Sequence, residues 1–204
     1  MKILNLYAGI GGNRKLWEDV DVTAVELNPQ IAKIYQDFFP KDKVIVEDAH
    51  QYLLEHFEEY DFIWSSPPCP THSRIRNIAG VGCGQNKPIF PDMKLYEEII
   101  FLQQCYKSSG TNFKGKYVVE NVCSYYKPLI PPQEIGRHYY WANFRILPYK
   151  LKTRGHMKSI KELAKIKGFP TIQDRTLLRN CVEPELGLHI LNESKRDIQP
   201  ELFR

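Results

Sequence analysis

A cysteine lies in a proline-rich loop with the composition of a nucleophile site. Cys69 belongs to the segment SSPPCPTHS (65–73), directly after a strand predicted over 60–64. The preceding prolines stiffen the backbone and fix the direction of the thiol. A lone cysteine is more often a small buried hydrophobe, but one in a polar loop at a strand end has the access that thiolate chemistry requires. The segment therefore predicts a nucleophile at Cys69.

A carboxylate ends the next predicted strand. Glu120 lies in the segment VVENV (118–122), at the end of a strand predicted over 116–120. Because the carboxyl ends of parallel strands meet at one edge of a sheet, we expect Glu120 close to Cys69. A carboxyl group beside a thiol in a partly dry pocket can donate a proton. The alternative is a surface acid paired with a cation.

A glycine-rich turn near the N-terminus predicts a cofactor loop. The segment YAGIGG (7–12) follows a strand predicted over 2–7 and precedes a helical stretch predicted to reach Trp17. Glycine permits a positive φ and a close approach of a ligand to the backbone. Nicotinamide and S-adenosylmethionine sites both use such turns, but the dinucleotide spacing G-x-G-x-x-G is not met here.

Acids follow the second and third predicted strands. Glu26 comes after the strand at 22–25, and Asp48 comes after the strand at 44–46. At strand ends, Glu26 suits hydrogen bonds from ribose hydroxyls and Asp48 suits a bond from an adenine amine. The alternative is that both carboxylates cap the helices that follow them.

The elements that must position these side chains alternate along the first half of the chain. Helices are predicted between and after the strands, at 28–39, 51–57 and 93–107. Strands and helices alternating every 20 residues or so indicate β-α-β units, hence an α/β fold with a mostly parallel sheet and helices on both faces. The remaining predicted segments are a loop at 121–132, an aromatic segment at 139–144, helical turns at 159–167 and a last helix at 184–192.

Composition limits the class of protein. The 204 residues are 43% hydrophobic and 25% charged, which favours one domain with a substantial core and excludes low-complexity disorder. No apolar run is long enough for a membrane span, and the N-terminus leads directly into a strand rather than a secretion signal. Five scattered cysteines without a C-x-x-C pair favour a reducing compartment over disulfides or zinc. We therefore expect a cytoplasmic protein.

Charge is distributed unevenly along the chain. Residues 1–73 contain 6 Lys and Arg against 12 Asp and Glu, whereas residues 74–204 contain 22 against 12. The basic part has the charge needed to contact a phosphate backbone. Ordinary solvated lysines are the alternative.

These motifs, in this order, resemble those of the cytosine-5 DNA methyltransferases. The shared segments are LYAGIGG, AVELNP, EDAHQYL, SSPPCPTHS, PDMKLYEEI, VVENV, the stretch from Gln133 to Arg137, ELAKIKGFP and LLRNCVEPELGLHIL. The pairing of PPC with ENV at matching strand ends is specific, whereas the glycine loop is not. The resemblance covers essentially the whole chain and implies a Rossmann-like, S-adenosylmethionine-dependent methyltransferase fold.

The resemblance implies a covalent mechanism. Cys69 would add as a thiolate to C6 of a cytosine flipped out of the duplex, and Glu120 would protonate or hydrogen-bond N3 and the exocyclic amine. C5 would then take the methyl group of S-adenosylmethionine. Arg137 would hold the pyrimidine O2 or orient Glu120, and residues 77–85 would form a mobile loop that closes on the base.

Further contacts follow from the same resemblance. The implied cofactor-binding residues are Tyr7, Ala8, Gly9, Ile10, Gly11, Gly12, Glu26, Leu27, Asp48, Ala49, Pro67, Asn180 and Val182. The implied substrate-binding residues are Pro68, Ser73, Asn121 and Val122. DNA is the expected partner, in a bacterial or phage setting such as restriction-modification, and no metal and no membrane are expected.

The chain departs from the family pattern at several positions. Pro70 replaces the usual Gln after the nucleophile, Ile135 replaces the first arginine of Q-x-R-x-R, and Arg179 replaces a Gly in the closing segment. The largest departure is in the target-recognition region. We predict a catalytic core at 1–144, a vestigial recognition segment at 145–158 that is too short for a domain, and elements completing the core at 159–204. Sequence choice is then short or relaxed, or a second subunit supplies it.

Three alternatives remain open from the sequence. A cytosine-5 methyltransferase acting on RNA would keep the same chemistry. A catalytically silent subunit that binds nucleic acid would explain Pro70 and the short recognition segment, although intact Cys69 and Glu120 argue against it. A Cys–His dyad with His72 is the third, and the family chemistry does not require it.

Overall fold

A single mixed sheet organises the protein. The computed structural model describes residues 1–74, 89–150 and 159–196. Within these ranges a seven-stranded sheet has the order β3-β2-β1-β4-β5-β7-β6. Strands β1 to β5 are parallel, and β7 is antiparallel to both β5 and β6. The strands are β1 (Lys2–Leu6), β2 (Asp21–Val25), β3 (Lys43–Ile45), β4 (Phe62–Ser65), β5 (Lys116–Val122), β6 (Gln133–Ile135) and β7 (His138–Ala142).

Helices pack on both faces of the sheet. They are α1 (Pro29–Phe38), α2 (Ala49–His56), α3 (Lys94–Lys107), α4 (Ile160–Lys167), α5 (Arg175–Asn180) and α6 (Pro184–Ser194). Helices α2 and α3 cover one face through a core that includes Leu53, Leu95 and Ile99. Helix α6 covers the other face with Leu186 and Ile190, and α1, α4 and α5 extend that layer. The predicted α/β methyltransferase fold, mostly parallel with helices on both faces, is confirmed.

Strand β4 shows why the sheet must be covered on both sides. Phe62 and Trp64 point to the α6 face, whereas Ile63 and Ser65 point to the α3 face, and all four are fully buried. Central parallel strands bury both faces, so their sequences read as continuous apolar runs. Ser65 is the polar exception at the carboxyl end of the strand, where the site begins.

One predicted helix is wrong. Residues 13–17, after the glycine loop, form successive turns, because their backbone bonds connect Lys15 N to Gly12 O (3.4 Å) and Trp17 N to Arg14 O (3.0 Å), an i→i−3 pattern. Asn13 and Arg14 also direct their side chains to tertiary partners, the Asn5 amide and the Asp42 carboxylate. These tertiary bonds replace the regular i→i−4 pattern of an α-helix.

Other boundaries also differ from the predictions. Strand β5 continues to Val122, so Asn121 and Val122 belong to the strand and not to the predicted loop at 121–132. Helix α2 begins at Ala49, two residues before the predicted start, because Asp48 caps it. Helix α5 was not predicted. The expected mobile loop at 77–85 and residues 151–158 of the expected recognition segment lie outside the described ranges.

The C-terminal elements complete the core. Leu186 and Ile190 of α6 pack with Ile3 of β1, and Phe169 packs with Ala8 and Ala24. The domain boundaries at 144 and 158 stay a prediction. In the part of the chain that the structure describes, no helix has both the length and the apolar character needed to cross a membrane.

Candidate active site

Cys69 and Glu120 lie at the same edge of the sheet. Strands β4 and β5 are parallel neighbours with Ser65 opposite Val119, so Glu120 follows at the point where the Cys69 loop leaves β4. Cys69 is half-buried, and the side chain of Glu120 is 10% exposed. Burial raises the pKa of the Cys69 thiol, and the Glu120 carboxylate raises it further. The pairing of β4 with β5 places the two groups at adjacent strand ends.

Asn121 fastens the proline loop to the sheet. Its Nδ2 donates to the Pro67 carbonyl at 2.9 Å, and its Oδ1 accepts from the Val122 backbone N–H at 2.9 Å. Asn121 is buried, so these bonds are shielded from water. Beyond it, the backbone N–H groups of His72 and Ser73 both donate to the Cys69 carbonyl, at 3.0 and 3.1 Å, and close a turn around the cysteine. The thiol is therefore presented from a tied backbone.

His72 is a packed residue of this loop. It is 1% exposed, its Nδ1 lies 2.6 Å from the Tyr126 hydroxyl, and burial lowers the pKa of its imidazole. The ring thus joins the nucleophile loop to the segment after β5. This partner favours a structural role for His72 over the alternative of a Cys–His dyad.

Arg137 lies in the tight turn between β6 and β7. Ile135 pairs with His138, so Gly136 and Arg137 form a two-residue hairpin connection, and Gly136 has a φ of 67°. The Arg137 side chain is exposed, and its carbonyl accepts from Cys123 N at 3.0 Å. The side chain that reaches the carboxylate is His138, whose Nε2 lies 3.6 Å from Glu120 Oε1. Sequence analysis did not single out His138.

On the other side of the edge, Glu26 is tied to the glycine loop. Its Oε2 accepts from Gly9 N at 3.0 Å, and its Oε1 accepts from Asn28 N at 2.9 Å. Asn28, and not Glu26, caps helix α1. Glu26 is half-buried at the end of β2, and its oxygens retain free lone pairs that can accept ribose hydroxyls.

Asp48 behaves differently. Its Oδ1 accepts from His50 N at 2.8 Å and Gln51 N at 3.4 Å, which makes it the N-cap of α2. Its Oδ2 lies 3.4 Å from Lys94 Nζ. Desolvation, the largest single effect, raises the pKa of Asp48, but the two backbone bonds and Lys94 together outweigh it and hold the pKa below its usual range. Asp48 is therefore a helix cap, as the alternative interpretation predicted, and its side chain is 47% exposed.

The glycine loop divides into an open and a packed part. A Cβ on Gly9, which has a φ of 55°, would have no protein atom within 4 Å, so the loop has open space there. A Cβ on Gly12 would lie 2.4 Å from Cys181 Sγ and 2.5 Å from Val182 O. The loop thus offers Gly9 to a ligand and packs Gly12 against the turn between α5 and α6.

Sequence analysis missed a buried carboxylate that contacts Tyr7, the first residue of the glycine loop. Glu98 of α3 has no exposed side-chain surface and accepts from the Tyr7 hydroxyl at 2.6 Å and the Ser65 hydroxyl at 2.5 Å. His50 Nδ1 lies 3.0 Å from the same carboxylate, which raises the pKa of His50. Burial and Glu98 raise the pKa of Tyr7 as well. The sequence signal that could have revealed Glu98 is its position as an acid on the apolar face of α3.

The other residues expected at the site occupy varied positions. Leu27 is 66% exposed beside Glu26, and Asn180 is exposed at the end of α5. Ala8, Ile10, Gly11, Ala49 and Pro67 are buried, Val182 is half-buried and Pro68 is exposed. Ser73 is half-buried and pairs with Ser124 in an isolated bridge. The open space at Gly9, the Glu26 carboxylate and the exposed Leu27 together form a cradle that fits a nucleoside-bearing cofactor.

Residues 1–100 match the family model of the C-5 cytosine-specific DNA methylases. The N-terminal half of this chain is similar to that family. The match includes the glycine loop, Glu26, Asp48 and Cys69, and the family resemblance predicted from the sequence is confirmed. This similarity implies S-adenosylmethionine as the cofactor.

Individual relatives cover smaller parts. A tRNA (cytosine(38)-C(5))-methyltransferase from Spodoptera frugiperda is 31% identical over 80 residues, which are 36% of this chain and 24% of that protein. The match therefore spans about a quarter of the curated relative's length.

Similar solved structures include a DNMT2 mutant from Spodoptera frugiperda and the methyltransferase EhMeth from Entamoeba histolytica. The DNMT2 mutant has 26% identity, a TM-score of 0.39 and coverage of 59% of this chain and 35% of that one. EhMeth has 17% identity, a TM-score of 0.42 and coverage of 80% and 59%.

The ranges 1–74, 89–150 and 159–196 contain no candidate metal site. No three His, Cys, Asp or Glu side chains are grouped there as ligands of one ion would be. The functional groups at the edge of the sheet are thus a thiol, carboxylates and an imidazole.

Proposed function

We propose that this protein is a cytosine-5 methyltransferase that acts on DNA through a covalent adduct at Cys69. The observation that carries the proposal is the shared environment of Cys69 and Glu120 at adjacent ends of β4 and β5. A thiol and a carboxyl group so placed can contact C6 and N3 of one pyrimidine ring. S-adenosylmethionine, when bound, supplies the methyl group that C5 accepts.

Each group has a defined task in this proposal. The Cys69 sulfur bonds to C6 as a thiolate, and Glu120 donates to N3, because C6 is a poor electrophile until N3 carries positive charge. The adduct breaks when C5 loses its proton and the electron pair returns to expel the thiolate. The duplex buries C6, so the cytosine must leave the stack before Cys69 can reach it.

Asn121 and Pro67 position the nucleophile. Their hydrogen bond of 2.9 Å ties the loop of Cys69 to the strand of Glu120, so the two reacting groups move as one unit. Fixing two groups in an attack geometry removes much of the entropic cost of the reaction. Arg137 stays a proposed catalytic residue that holds the pyrimidine O2 or orients Glu120, and its side chain is exposed in the turn.

RNA is the second candidate substrate. The tRNA methyltransferase from Spodoptera frugiperda carries this preference in its name and shares 31% identity over 80 residues with this chain. The family model that matches residues 1–100 is instead named for DNA. The chemistry at Cys69 is the same for both substrates, so the choice depends on surfaces outside the reacting pair.

A trapping experiment tests the nucleophile, the substrate and the reaction class together. Purified protein is incubated with S-adenosylmethionine and duplex DNA that contains 5-fluorocytosine, and the products are separated under denaturing conditions. Because fluorine at C5 cannot leave as a proton, the adduct accumulates, and we expect a covalent complex that Cys69→Ala abolishes. Transfer RNA carrying the same base is the parallel arm.

Controls separate chemistry from folding. Cys105→Ala removes a buried thiol of α3, remote from the strand ends, and should leave trapping intact. A complex that persists in Cys69→Ala would contradict the assignment of the nucleophile. Trapping of RNA without DNA would replace the substrate and keep the mechanism.

A further inference from the structure

An open cavity lies beside the nucleophile loop, and the proposed chemistry does not use it. Its volume is about 530 Å³, and it is lined by Arg74, the segment 124–128 and Tyr139. A volume of this size lies within the range of small-ligand sites, roughly 300–1,000 Å³. It is therefore large enough to receive one nucleotide.

The lining combines cations with aromatic rings. Arg74 and Lys127 are exposed, and Tyr125 is 40% exposed. Tyr126 is half-buried and Tyr139 is only 8% exposed, so Tyr125 is the ring most open to a base, and none of the lining residues that the structure describes is acidic. Arginine and lysine bind phosphate oxygens, and exposed aromatic rings stack on bases of any sequence. This combination is the one that single-stranded nucleic acid requires.

The cavity is joined to the nucleophile loop by several short contacts. Arg74 Nε donates to Ser124 O at 3.0 Å, and Tyr125 N donates to His72 O at 3.1 Å. Ser73 and Ser124 pair as an antiparallel bridge, and the Tyr126 hydroxyl meets His72 Nδ1 at 2.6 Å. A strand bound in the cavity is thus held by the backbone that presents Cys69.

The distance along the chain limits how far the cavity lies from the reacting thiol. Arg74 follows Cys69 by five residues, so their Cα atoms are at most roughly 18 Å apart. A stacked strand rises about 3.4 Å per nucleotide, so the separation corresponds to a few nucleotides of one strand.

We propose that this cavity binds a nucleotide within about five nucleotides of the target cytosine on the same strand. The Tyr125 ring stacks on its base, and Arg74 and Lys127 contact the phosphates on either side. This inference rests on the proposed function in one respect, namely that the substrate is nucleic acid. It supplies a strand-holding surface within the core, where the expected recognition segment is only 14 residues long.

Equilibrium binding tests the assignment. A fluorescein-labelled DNA single strand of about 12 nucleotides with one central cytosine is titrated with protein, and the anisotropy gives the Kd. We expect Tyr125→Ala to weaken binding about fivefold or more, because stacking on one base contributes about 1–3 kcal/mol, which corresponds to roughly 5- to 150-fold. Tyr125→Phe keeps the ring and should bind within about twofold of wild type.

The matched control is another tyrosine with the same exposure. Tyr106 is also 40% exposed, but it lies near the end of α3 beside Tyr117, at the opposite end of β5. Tyr106→Ala should leave the Kd unchanged. Equal affinities for Tyr125→Ala and Tyr106→Ala, with both variants folded by circular dichroism, would overturn the inference, and so would an absence of binding to both DNA and RNA strands.

The contribution of the Lys127 charge to binding is measured by the salt dependence of the binding constant. Lys127→Gln should lower the slope of log K against log salt by about 0.7, the value for one phosphate contact on a single strand. Lys107→Gln, at the end of α3, is the matched control. An unchanged slope for Lys127→Gln would remove that residue from the site.

Failure of this inference and failure of the proposed function are distinguishable. Covalent trapping with intact dependence on Cys69, together with binding that is indifferent to Tyr125, overturns only the cavity assignment. Binding that depends on Tyr125, without any covalent adduct, overturns only the reaction. An RNA strand of the same sequence forms the second arm, and tighter Tyr125-dependent binding to it would assign the nucleotide to RNA.

Discussion

The carboxyl-terminal edge of the sheet has two sides, the glycine-loop side and the Cys69 side, which differ in the charge and burial of their side chains. Around the glycine loop, Glu26 at the end of β2 accepts from Gly9 N at 3.0 Å, and Glu98, a buried acid of α3, accepts from the hydroxyls of Tyr7 and Ser65. At the ends of β4 and β5, two loops are joined to each other, and Arg74, Tyr125 and Lys127 remain exposed. The side of the glycine loop, where we propose that the cofactor binds, is stabilised by buried acids, whereas the side of Cys69, where we propose that the substrate binds, presents exposed cations and a ring beside buried Glu120.

This difference explains the charge pattern of the chain. Several acids of residues 1–73 are internal partners of backbone groups, as Glu26 and Asp48 are, and therefore do not create a repulsive surface. Arg14 and Asp42 form an ion pair at 2.8 Å in which Asp42 is 3% exposed. Positive charge near the Cys69 loop is instead open to solvent. The acids of residues 1–73 thus stabilise the fold around the glycine loop, where we propose that the cofactor binds, and we propose that the basic half meets the substrate.

The largest expected effect comes from removing the buried acid. Glu98→Ala leaves the Tyr7 and Ser65 hydroxyls and the His50 ring without their acceptor, so we expect a loss of about 2–4 kcal/mol in the free energy of unfolding, since each unsatisfied buried group costs about 1–3 kcal/mol. Urea unfolding measures this loss.

Glu97→Ala is the adjacent control, because its side chain is 60% exposed. It should change stability by less than about 0.5 kcal/mol. Similar losses in the two variants would contradict the view that buried acids stabilise the cofactor side.

A pair of glycine variants gives the next largest effect and separates packing from ligand space. Gly12→Ala pushes a methyl group into Cys181 and Val182, so we expect a loss of about 1–3 kcal/mol in stability. Gly9→Ala carries only the strain of its positive φ, about 1–2 kcal/mol, because its methyl group meets no protein atom.

Gly12→Ala should lose more stability than Gly9→Ala, but Gly9→Ala should lose more affinity for the cofactor. Gly9→Ala places its methyl group in the space proposed for S-adenosylmethionine, so calorimetric titration should show the greater loss of affinity for that variant. Equal affinities for Gly9→Ala and wild type would show that the open space at Gly9 is not the cofactor's.

The smallest effect concerns the pKa of the nucleophile. Burial and Glu120 raise the pKa of the Cys69 thiol, so below that pKa the thiolate is scarcer than for a free cysteine, and alkylation by iodoacetamide should rise only at higher pH. Glu120→Gln removes the negative charge and should shift the alkylation curve toward lower pH. Peptide mass spectrometry follows Cys69 alone.

A second variant of Glu120 separates the effect of its charge on the pKa of Cys69 from the effect of burial. Glu120→Asp retains the charge and should keep the high-pH curve, whereas Glu120→Gln should move it. Coincident curves for Glu120→Gln and wild type would show that burial alone raises the pKa of the thiol, and that the Asn121-tied loops do not bring the two groups together.

Some features could be predicted because they depend on local pattern. Alternating apolar runs and helices specify the parallel sheet, and the β-α-β rule places Cys69 and Glu120 at one edge. The turns at 13–17 could not be predicted, because Asn13 and Arg14 bond to Asn5 and Asp42, which lie 8 and 28 residues away, outside the local pattern. Helix α5 has only six residues, too few for a clear periodic signal.

The sequence by itself determined the fold class, the family and the candidate reacting pair, since these follow from periodicity and from short motifs at strand ends. Tertiary structure alone decided that Asp48 is a cap while Glu26 joins the glycine loop, that His138 rather than Arg137 reaches Glu120, and that Glu98 is a buried acceptor. It also assembled the cavity of Arg74, Tyr125 and Lys127 from segments 50 residues apart. The physical reason is that hydrogen-bond partners and burial are set by contacts between strands and helices that only folding brings together.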